Sequence, residues 1–388
     1  MQILLTIHHG LEQSSGAPGT TLQLADSYRS LGHVVRLCSY EAIPARGRMP
    51  VQGQQLAFPF VATATALRLW RWADVVDASS ADLWPLLGLR KLRAGRGPVV
   101  VTRSHGLEHA VADALRAQAA AGNLRLSRAY PLYHGGWRLQ EVAISLRRAD
   151  AAFFLNDDDR EYAVGRLGLT QAFTYVMDNG LSKAFIGLPP PRIHVDPKTV
   201  VQVGSFSPRK GIAYSVPAIT RVLSERPTVR AVLLGTGVAA AEVLGHFPSG
   251  LRGRITVVDR YEQADLPQLL AGASVGLFAS VSEGFGKTLL ETMACGVAAV
   301  AARAAGPRRI VADGTTGVLV PVRDWTALAR ATLCLLDDDD LRLRLARAGH
   351  DAAQRYTWEA TAAERLAVYE RLLTARSRPP RAQVSHAG

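Results

Sequence analysis

Ser280-Val281-Ser282-Glu283-Gly284-Phe285-Gly286-Lys287-Thr288-Leu289-Leu290-Glu291, entered from the apolar run Ala273-Ser274-Val275-Gly276-Leu277-Phe278-Ala279, sets two carboxylates eight positions apart around a Gly-Phe-Gly turn. The run before it reads as a buried strand, and Thr288 to Ala294 reads as a helix. Strand, glycine turn and helix together let backbone N–H groups and a helix N-terminus meet an anion. Glu283 falls in the turn and Glu291 about one helical turn further on. Two acceptor-only side chains beside such a helix end suit a ligand that carries both phosphates and hydroxyls, such as a nucleotide-sugar. Gly286-Lys287-Thr288 imitates the end of a Walker A loop, but that loop needs a glycine five residues before Gly286, where Val281 stands.

The same strand-then-helix alternation runs through the chain. In the first half the spacing predicts strands at Gln2–Ile7, His33–Cys38, Val75–Asp77, Val99–Arg103, Ala151–Leu155 and Phe173–Val176. In the second it predicts Thr199–Val203, Ala231–Leu234, Ile255–Val258, Val275–Phe278, Ala298–Ala301 and Gly317–Val320. Strands alternating with helices form parallel sheets in βαβ units. Two successive sets of six point to an α/β protein with two doubly wound domains; a barrel of eight βα units is the other arrangement. The pattern restarts after Gly187-Leu188-Pro189-Pro190-Pro191-Arg192, whose triple proline suits neither a helix nor a central strand and reads as the linker. The expected division is residues 1–187 and 188–359, with a flexible tail at 377–388.

At 388 residues and 48% apolar composition the chain has material for two cores. Cys38, Cys295 and Cys334 are widely spaced and odd in number, which fits a reducing compartment. Met1 to Ile7 reads as a first strand, too short for a signal peptide, and no apolar run approaches the roughly 18–20 residues that span a bilayer. The expectation is a cytoplasmic protein. The formal charge of +12 is either a solvated Arg-rich surface or a preference for anionic partners, peripheral contact with an anionic inner-membrane surface being the functional reading. Basic stretches such as that around Arg125, Arg128, Arg138, Arg147 and Arg148 lack the interleaved aromatics of a nucleic-acid groove, so no nucleic-acid partner is expected.

Four further features bear on the site. The glycine-bearing turn from Gly10 to Thr21, between the first strand and a helix expected at Leu22–Leu31, lets backbone approach a ligand at Gly16, or is an ordinary βα loop. It does not make G-x-G-x-x-G, so a dinucleotide site is disfavoured. In Val203-Gly204-Ser205-Phe206-Ser207-Pro208-Arg209-Lys210-Gly211, Lys210 can neutralise a diphosphate as a point charge and Arg209 can add a forked contact. His105 follows the strand Val99–Arg103, at the strand end where open α/β sheets bind ligands; it suits hydrogen bonding to a sugar or a structural loop. Asp157-Asp158-Asp159 imitates a metal-binding D-x-D, but an acid-capped helix start explains it better.

These pieces, in this order, resemble glycosyltransferase family 4, the retaining transferases of the GT-B fold, in which two Rossmann-like domains face each other across a cleft. The resemblance spans nearly the whole chain and is most specific from Thr199 to Trp358. Glu283 through Glu291 match the E-x7-E signature, Val203-Gly204 and Lys210-Gly211 the "V-G…K-G" element, Asn179-Gly180 the interdomain "N-G", and Leu234-Gly235-Thr236-Gly237 the "G-x-G" loop. The resemblance implies that Glu291 holds the ribose hydroxyls, Glu283 the sugar hydroxyls, and Lys210 the departing diphosphate. N–H groups around Gly284, Phe285, Gly286 and Thr288 would face the sugar and phosphates, Gly16 would let the first-domain loop close, and His105 would stand near the sugar. It further implies a metal-independent reaction with a nucleotide-diphosphate-sugar as co-substrate and no other cofactor, closure about a hinge near Gly187–Pro191, and a last helix at 360–376 that joins the first domain. Two positions depart from the pattern. Ser205 stands where the family has arginine, and Arg309 where it often has glutamate.

The acceptor, whether glycan, lipid-linked or small molecule, is expected on the first domain over Leu107–Arg148, where Tyr130, Tyr133 and Trp137 either touch it or pack. The alternative functions are a sugar-nucleotide epimerase on the same fold and a non-catalytic nucleotide-sugar-binding protein.

Overall fold

The computed structural model describes residues 1–11, 16–44, 46–89, 97–122, 124–191 and 198–377. Glu12 to Ser15 of the first turn, Arg192 of the linker and the tail from 378 lie outside the described residues.

Short β-branched runs bounded by turns become twelve parallel strands: β1 (Gln2–Thr6), β2 (Val34–Cys38), β3 (Val75–Ser79), β4 (Val99–Arg103), β5 (Ala151–Phe154), β6 (Thr174–Val176), β7 (Thr199–Val203), β8 (Arg230–Leu234), β9 (Ile255–Val258), β10 (Val275–Phe278), β11 (Ala298–Ala302) and β12 (Val318–Val320). Each predicted strand is present, with ends moved by a few residues. They form two six-stranded sheets, ordered β2-β1-β3-β4-β5-β6 and β12-β11-β10-β7-β8-β9. The barrel alternative is thereby excluded.

In each sheet the winding reverses once, between β1 and β3 in the first and between β7 and β10 in the second. At such a reversal the connections leave in opposite directions and open a crevice beyond the carboxyl ends of the strands. The Glu283 turn leaves β10 and the Gly204 turn leaves β7, so both flank the second crevice.

The helix expected at Leu22–Leu31 runs instead from Gly16 to Ser30. Pro18 sits in its first turn, where no intrahelical N–H is needed, and the Thr20 and Thr21 hydroxyls donate back to the Gly16 and Ala17 carbonyls at 2.8 and 3.0 Å. The stretch from Gly16 to Thr21, which reads as part of a glycine-bearing loop, is therefore helix.

The helix Trp358–Ser377 leaves the second sheet and packs on the first, burying Trp358, Ala362 and Tyr369 among Ile3, Tyr28 and Phe153. A polar knot accompanies it. The Tyr369 hydroxyl donates to Asp77 at 2.5 Å, and Asp77 also lies 2.8 Å from Arg103 and 3.7 Å from Arg365, all of them buried. Arg103 donates to the Thr6 carbonyl at 2.7 Å, which ties β1, β3, β4 and the last helix together. The two chain crossings between the sheets run side by side, as an isolated parallel bridge between Leu181 and Thr357. The proline segment is fastened to the second sheet's side: Gly187 N–H donates to Gln354 at 2.9 Å, and the Leu188 carbonyl lies 3.0 Å from His350 Nε2. The described part of the proline segment is thus held to the second domain's helices, and the chain crosses between the sheets at Asn179–Leu181 and Tyr356–Trp358.

Removing one partner of a buried ion pair strands the others without solvent. Asp77→Ala should therefore lower unfolding free energy by about 3–5 kcal/mol, read from denaturant midpoints at unchanged m-value.

Candidate active site

Gly211 ends the β7 turn at φ 75°, a left-handed conformation that suits glycine, and a Cβ there would lie 2.0 Å from the Ala279 carbonyl oxygen. This close approach brings the β7 turn onto the end of β10. Lys210 Nζ consequently donates to Glu283 Oε2 at 2.6 Å, and the Ser280 hydroxyl donates to the same oxygen at 3.2 Å. Arg209 stands 3.5 Å from Glu283 Oε1 and donates to the Ser282 carbonyl at 3.3 Å. Burial by itself would push the Glu283 carboxyl up; the Lys210 and Arg209 charges, with the hydrogen bonds from Lys210 and Ser280, outweigh it and hold the group below its ordinary value. Ser205 is exposed and exchanges a hydrogen bond only with Ser207, at 3.1 Å. Arg209, not position 205, is the guanidinium beside Glu283.

Gly286, at φ 100°, opens the helix Lys287–Ala294 without a side-chain cap. The N–H groups of its first turn have no intrahelical partner and form a bare positive pole. Phe285 is a core residue, 3% exposed and packed edge-on against Tyr356, so only its backbone can face a ligand. Glu291 is 3% exposed. Burial pushes its carboxyl above the usual range against the opposing pull of Lys287, whose Nζ is 3.7 Å away. Gln263 donates to it. Beside Gln263 and residues 181–184 lies a cavity of about 630 Å³ between the two domains.

The first domain meets this turn directly. A Cβ on Gly284 would come within 2.9 Å of both Gly106 Cα and the His105 carbonyl oxygen, and Asn156 Nδ2 donates to the Gly284 carbonyl at 2.7 Å. His105 thus lies across the cleft from Glu283's turn. Its Nε2 is 3.1 Å from the Ser79 hydroxyl, which is equally 3.1 Å from the Thr6 carbonyl. With the Ser79 hydrogen on that carbonyl, Nε2 carries the ring proton and Nδ1 is the acceptor. Burial, with Arg103 behind it and His8 and His9 alongside, holds the imidazole well below its usual pKa, hence neutral. Gly16 is exposed, with open space where a Cβ would go, so no close approach in this conformation demands glycine.

Several residues at the cleft escaped sequence reasoning. The helix Asp157–Leu167 is capped by Asn156, which accepts from Asp159 N–H at 2.8 Å, rather than by an acid. Asp159 turns inward to accept from Leu107 N–H at 2.9 Å. Asp157 and Asp158 face the second domain, where Arg308 pairs with Asp158, and Arg309 pairs with Asp178 and lies 3.5 Å from Asp157. Arg309, the departure from the family pattern, is thus an interdomain ion-pair residue. Arg138, grouped by sequence with a basic surface, is largely buried beside His8 and Glu141. The interdomain pairs of Arg308 and Arg309 join residues more than a hundred positions apart, so no single position signals them. Among the described residues no group of three or more His, Cys, Asp or Glu could hold a metal ion, and no helix is long and apolar enough to cross a membrane.

Residues 197–338 match the family model described as Glycosyl transferases group 1. The chain is 27% identical to the phosphatidyl-myo-inositol mannosyltransferase of Mycobacterium leprae over 97% of this chain and 99% of that one. Among solved structures, the sucrose-phosphate synthase of Thermosynechococcus elongatus is similar with a TM-score of 0.77 at 21% identity, covering 96% of this chain and 99% of its own. HepE of Anabaena, solved in complex with UDP, has a TM-score of 0.69 at 19% identity, covering 96% and 100%.

Two outcomes follow from the site's charges. Lys210→Met leaves Glu283 buried and should cost about 3–5 kcal/mol of stability at pH 7. Because the folded carboxyl titrates below 4.5, the wild-type advantage is complete above that pH and should shrink as acid carries it through the lower folded value. Arg309→Asp should open the domains, seen as a larger radius of gyration in solution scattering. Asp178→Arg in that background should restore closure, each exposed pair being worth about 0.2–1 kcal/mol.

Proposed function

We infer that this chain, a GT-B protein whose residues 197–338 belong to the glycosyl transferases group 1, is a retaining, metal-independent transferase that moves a sugar from a nucleotide-diphosphate-sugar to an acceptor hydroxyl. The observation that carries the reading is the meeting of Lys210, Glu283 and the uncapped helix Lys287–Ala294 at the crevice between β7 and β10. Its likeness to HepE, whose structure holds UDP, supports the donor class.

Glu291 accepts hydrogen bonds from the ribose hydroxyls, which replace the Gln263 contact it makes now. The diphosphate lies on the Gly204 and Gly286 turns, where Lys210, Arg209 and the first N–H groups of the helix supply positive charge. Glu283 holds sugar hydroxyls, and its bond to Lys210 keeps the ammonium beside the bond that breaks. As the C1–O bond to the diphosphate breaks, charge grows on the leaving oxygen and these fixed donors stabilise it. The acceptor oxygen bonds to C1 on the same face, and its proton passes to the departing phosphate oxygen. His105, neutral, accepts a sugar hydroxyl at Nδ1 and adds no competing positive charge. Closure through the contact of Gly284 with Gly106 keeps water from C1. The near-full-length likeness to a mannosyltransferase disfavours an epimerase or a non-catalytic binder.

Titration calorimetry with a panel of UDP- and GDP-sugars should give one tight donor. Glu291→Ala should weaken it by about ten-fold or more, the worth of a hydrogen bond to a charged group. Proton NMR of the product should show the donor's anomeric configuration, and EDTA should leave the rate unchanged. An inverted product or unaltered donor affinity in Glu291→Ala would overturn the reading.

A further inference from the structure

Gly106, which meets Gly284 across the cleft, leads into the helix Glu108–Ala120 of the first domain, and that helix ends against the other turn of the donor site. Gln118 Nε2 donates to the Pro208 carbonyl at 3.3 Å. Pro208 opens the single turn Pro208–Lys210, which carries Arg209 and Lys210. One stretch of the first domain, about 15 Å of helix, thus reaches from the Glu283 turn to the Lys210 turn.

Gln118 is 1% exposed, although Arg116, Ala117 and Ala120 beside it on the helix are exposed. Glutamine is a residue of surfaces, and its amide is costly to bury unless it is hydrogen-bonded. Here the amide finds its partner across the cleft, on the second domain.

The turn that it grips is anchored within its own domain on either side. Phe206 N–H donates to the Thr236 carbonyl at 2.8 Å, and Val281 N–H donates to the Arg209 carbonyl at 3.1 Å. Pro208, between them, has no N–H to give, so its carbonyl is its one backbone handle. That carbonyl accepts from Gly211 N–H at 3.1 Å, inside the turn, and from Gln118. Lys210 is aimed from the same turn, with its Nζ on Glu283 and its stem beside Gly204, where a Cβ would come 3.3 Å from Lys210 Cε. A lysine ammonium rides on a flexible four-carbon stem, so its place depends on how firmly the backbone beneath it is fixed. In the reaction inferred above Glu283 also serves sugar hydroxyls, and the anchors of the turn then carry more of the task of keeping the ammonium at the bond that breaks.

We propose that Gln118 is a positioning residue for the breaking of the donor's C1–O bond: from the first domain it fixes the Pro208–Lys210 turn, and so sets the Lys210 ammonium at the leaving diphosphate while the two domains are in contact. Capture of the donor, which the second domain carries, does not need Gln118. The proposal rests on the transferase reading above, and adds the residue through which contact between the domains reaches the leaving group.

The test uses the full-length protein and the UDP- or GDP-sugar that calorimetry selects, radiolabelled in the sugar, with its slow release to water as the acceptor-independent reaction. Gln118→Met keeps the length of the side chain and removes the amide donors. It should lower kcat about five- to ten-fold, the effect of one hydrogen bond, while Kd and KM for the nucleotide-sugar move by less than about two-fold. Gln118→Glu keeps the shape but sets a carboxylate against the Pro208 carbonyl. It should lower kcat at least as far at neutral pH, and its deficit relative to wild type at the same pH should close as acid protonates the carboxyl and lets it donate again. Wild-type kcat in both variants, a Kd that rises in step with the fall in kcat, a Gln118→Glu deficit that does not change with pH, or loss of the fold in both variants overturns the proposal. The transferase reading is judged on the unmutated Gln118 protein: donor turnover that disappears in Glu291→Ala keeps it standing whatever the Gln118 variants do, and a wild type that turns over no donor fails that reading first.

Discussion

Backbone touches backbone where the two domains meet. Gly284 of the second domain sits so close to Gly106 and the His105 carbonyl that one methyl group at 284 would intrude, and Asn156 clasps the Gly284 carbonyl from the side. Everything at the cleft is placed by that contact. It sets the distance between His105 and the Glu283 turn, and it brings the crevice of the first sheet next to that of the second. It also lets Arg308 and Arg309 reach Asp157, Asp158 and Asp178. Partly exposed ion pairs contribute little each, and the two chain crossings between the domains run side by side at Leu181 and Thr357.

The charges inside the cleft are arranged by the same economy on both sides. In the second domain Lys210 and Glu283 neutralise each other at 2.6 Å, which makes burial of both tolerable and keeps a cation at the mouth of the crevice. In the first domain Arg138 lies 3.3 Å from Glu141, and the two are likewise largely buried together. Behind them, Asp77 with Arg103, Arg365 and Tyr369 locks the last helix to the first sheet, so the chain's end braces the domain in which it began.

All twelve described strands are legible in the sequence because short apolar runs between turn residues announce buried parallel strands locally. Glu283, Glu291 and Lys210 are legible for a similar reason, since each sits in or just beyond a glycine turn that follows a strand. The helix from Gly16 is not, because glycines and Pro18 at a helix start resemble a loop until the Thr20 and Thr21 back-bonds are seen. Arg138 and Arg309 are not either, because a charge has no meaning without its partner. By sequence Arg138 belongs to a basic surface, yet it is buried against carboxylates. By sequence Arg309 is only a departure from a family pattern, and in the structure it pairs with Asp178 across the domains.

What the sequence by itself determined is the local order: which runs are strands, which turns carry glycine, and which carboxylates and cations stand at strand ends. These follow from periodicity and from the backbone needs of individual residues, both of which act over a few positions. Only the tertiary structure decided which strand ends face one another, which charges are cancelled, and where the chain crosses between the sheets. Those depend on contacts between residues such as Asn156 and Gly284, or Asp77 and Tyr369, whose separation along the chain carries no signal of their nearness in space.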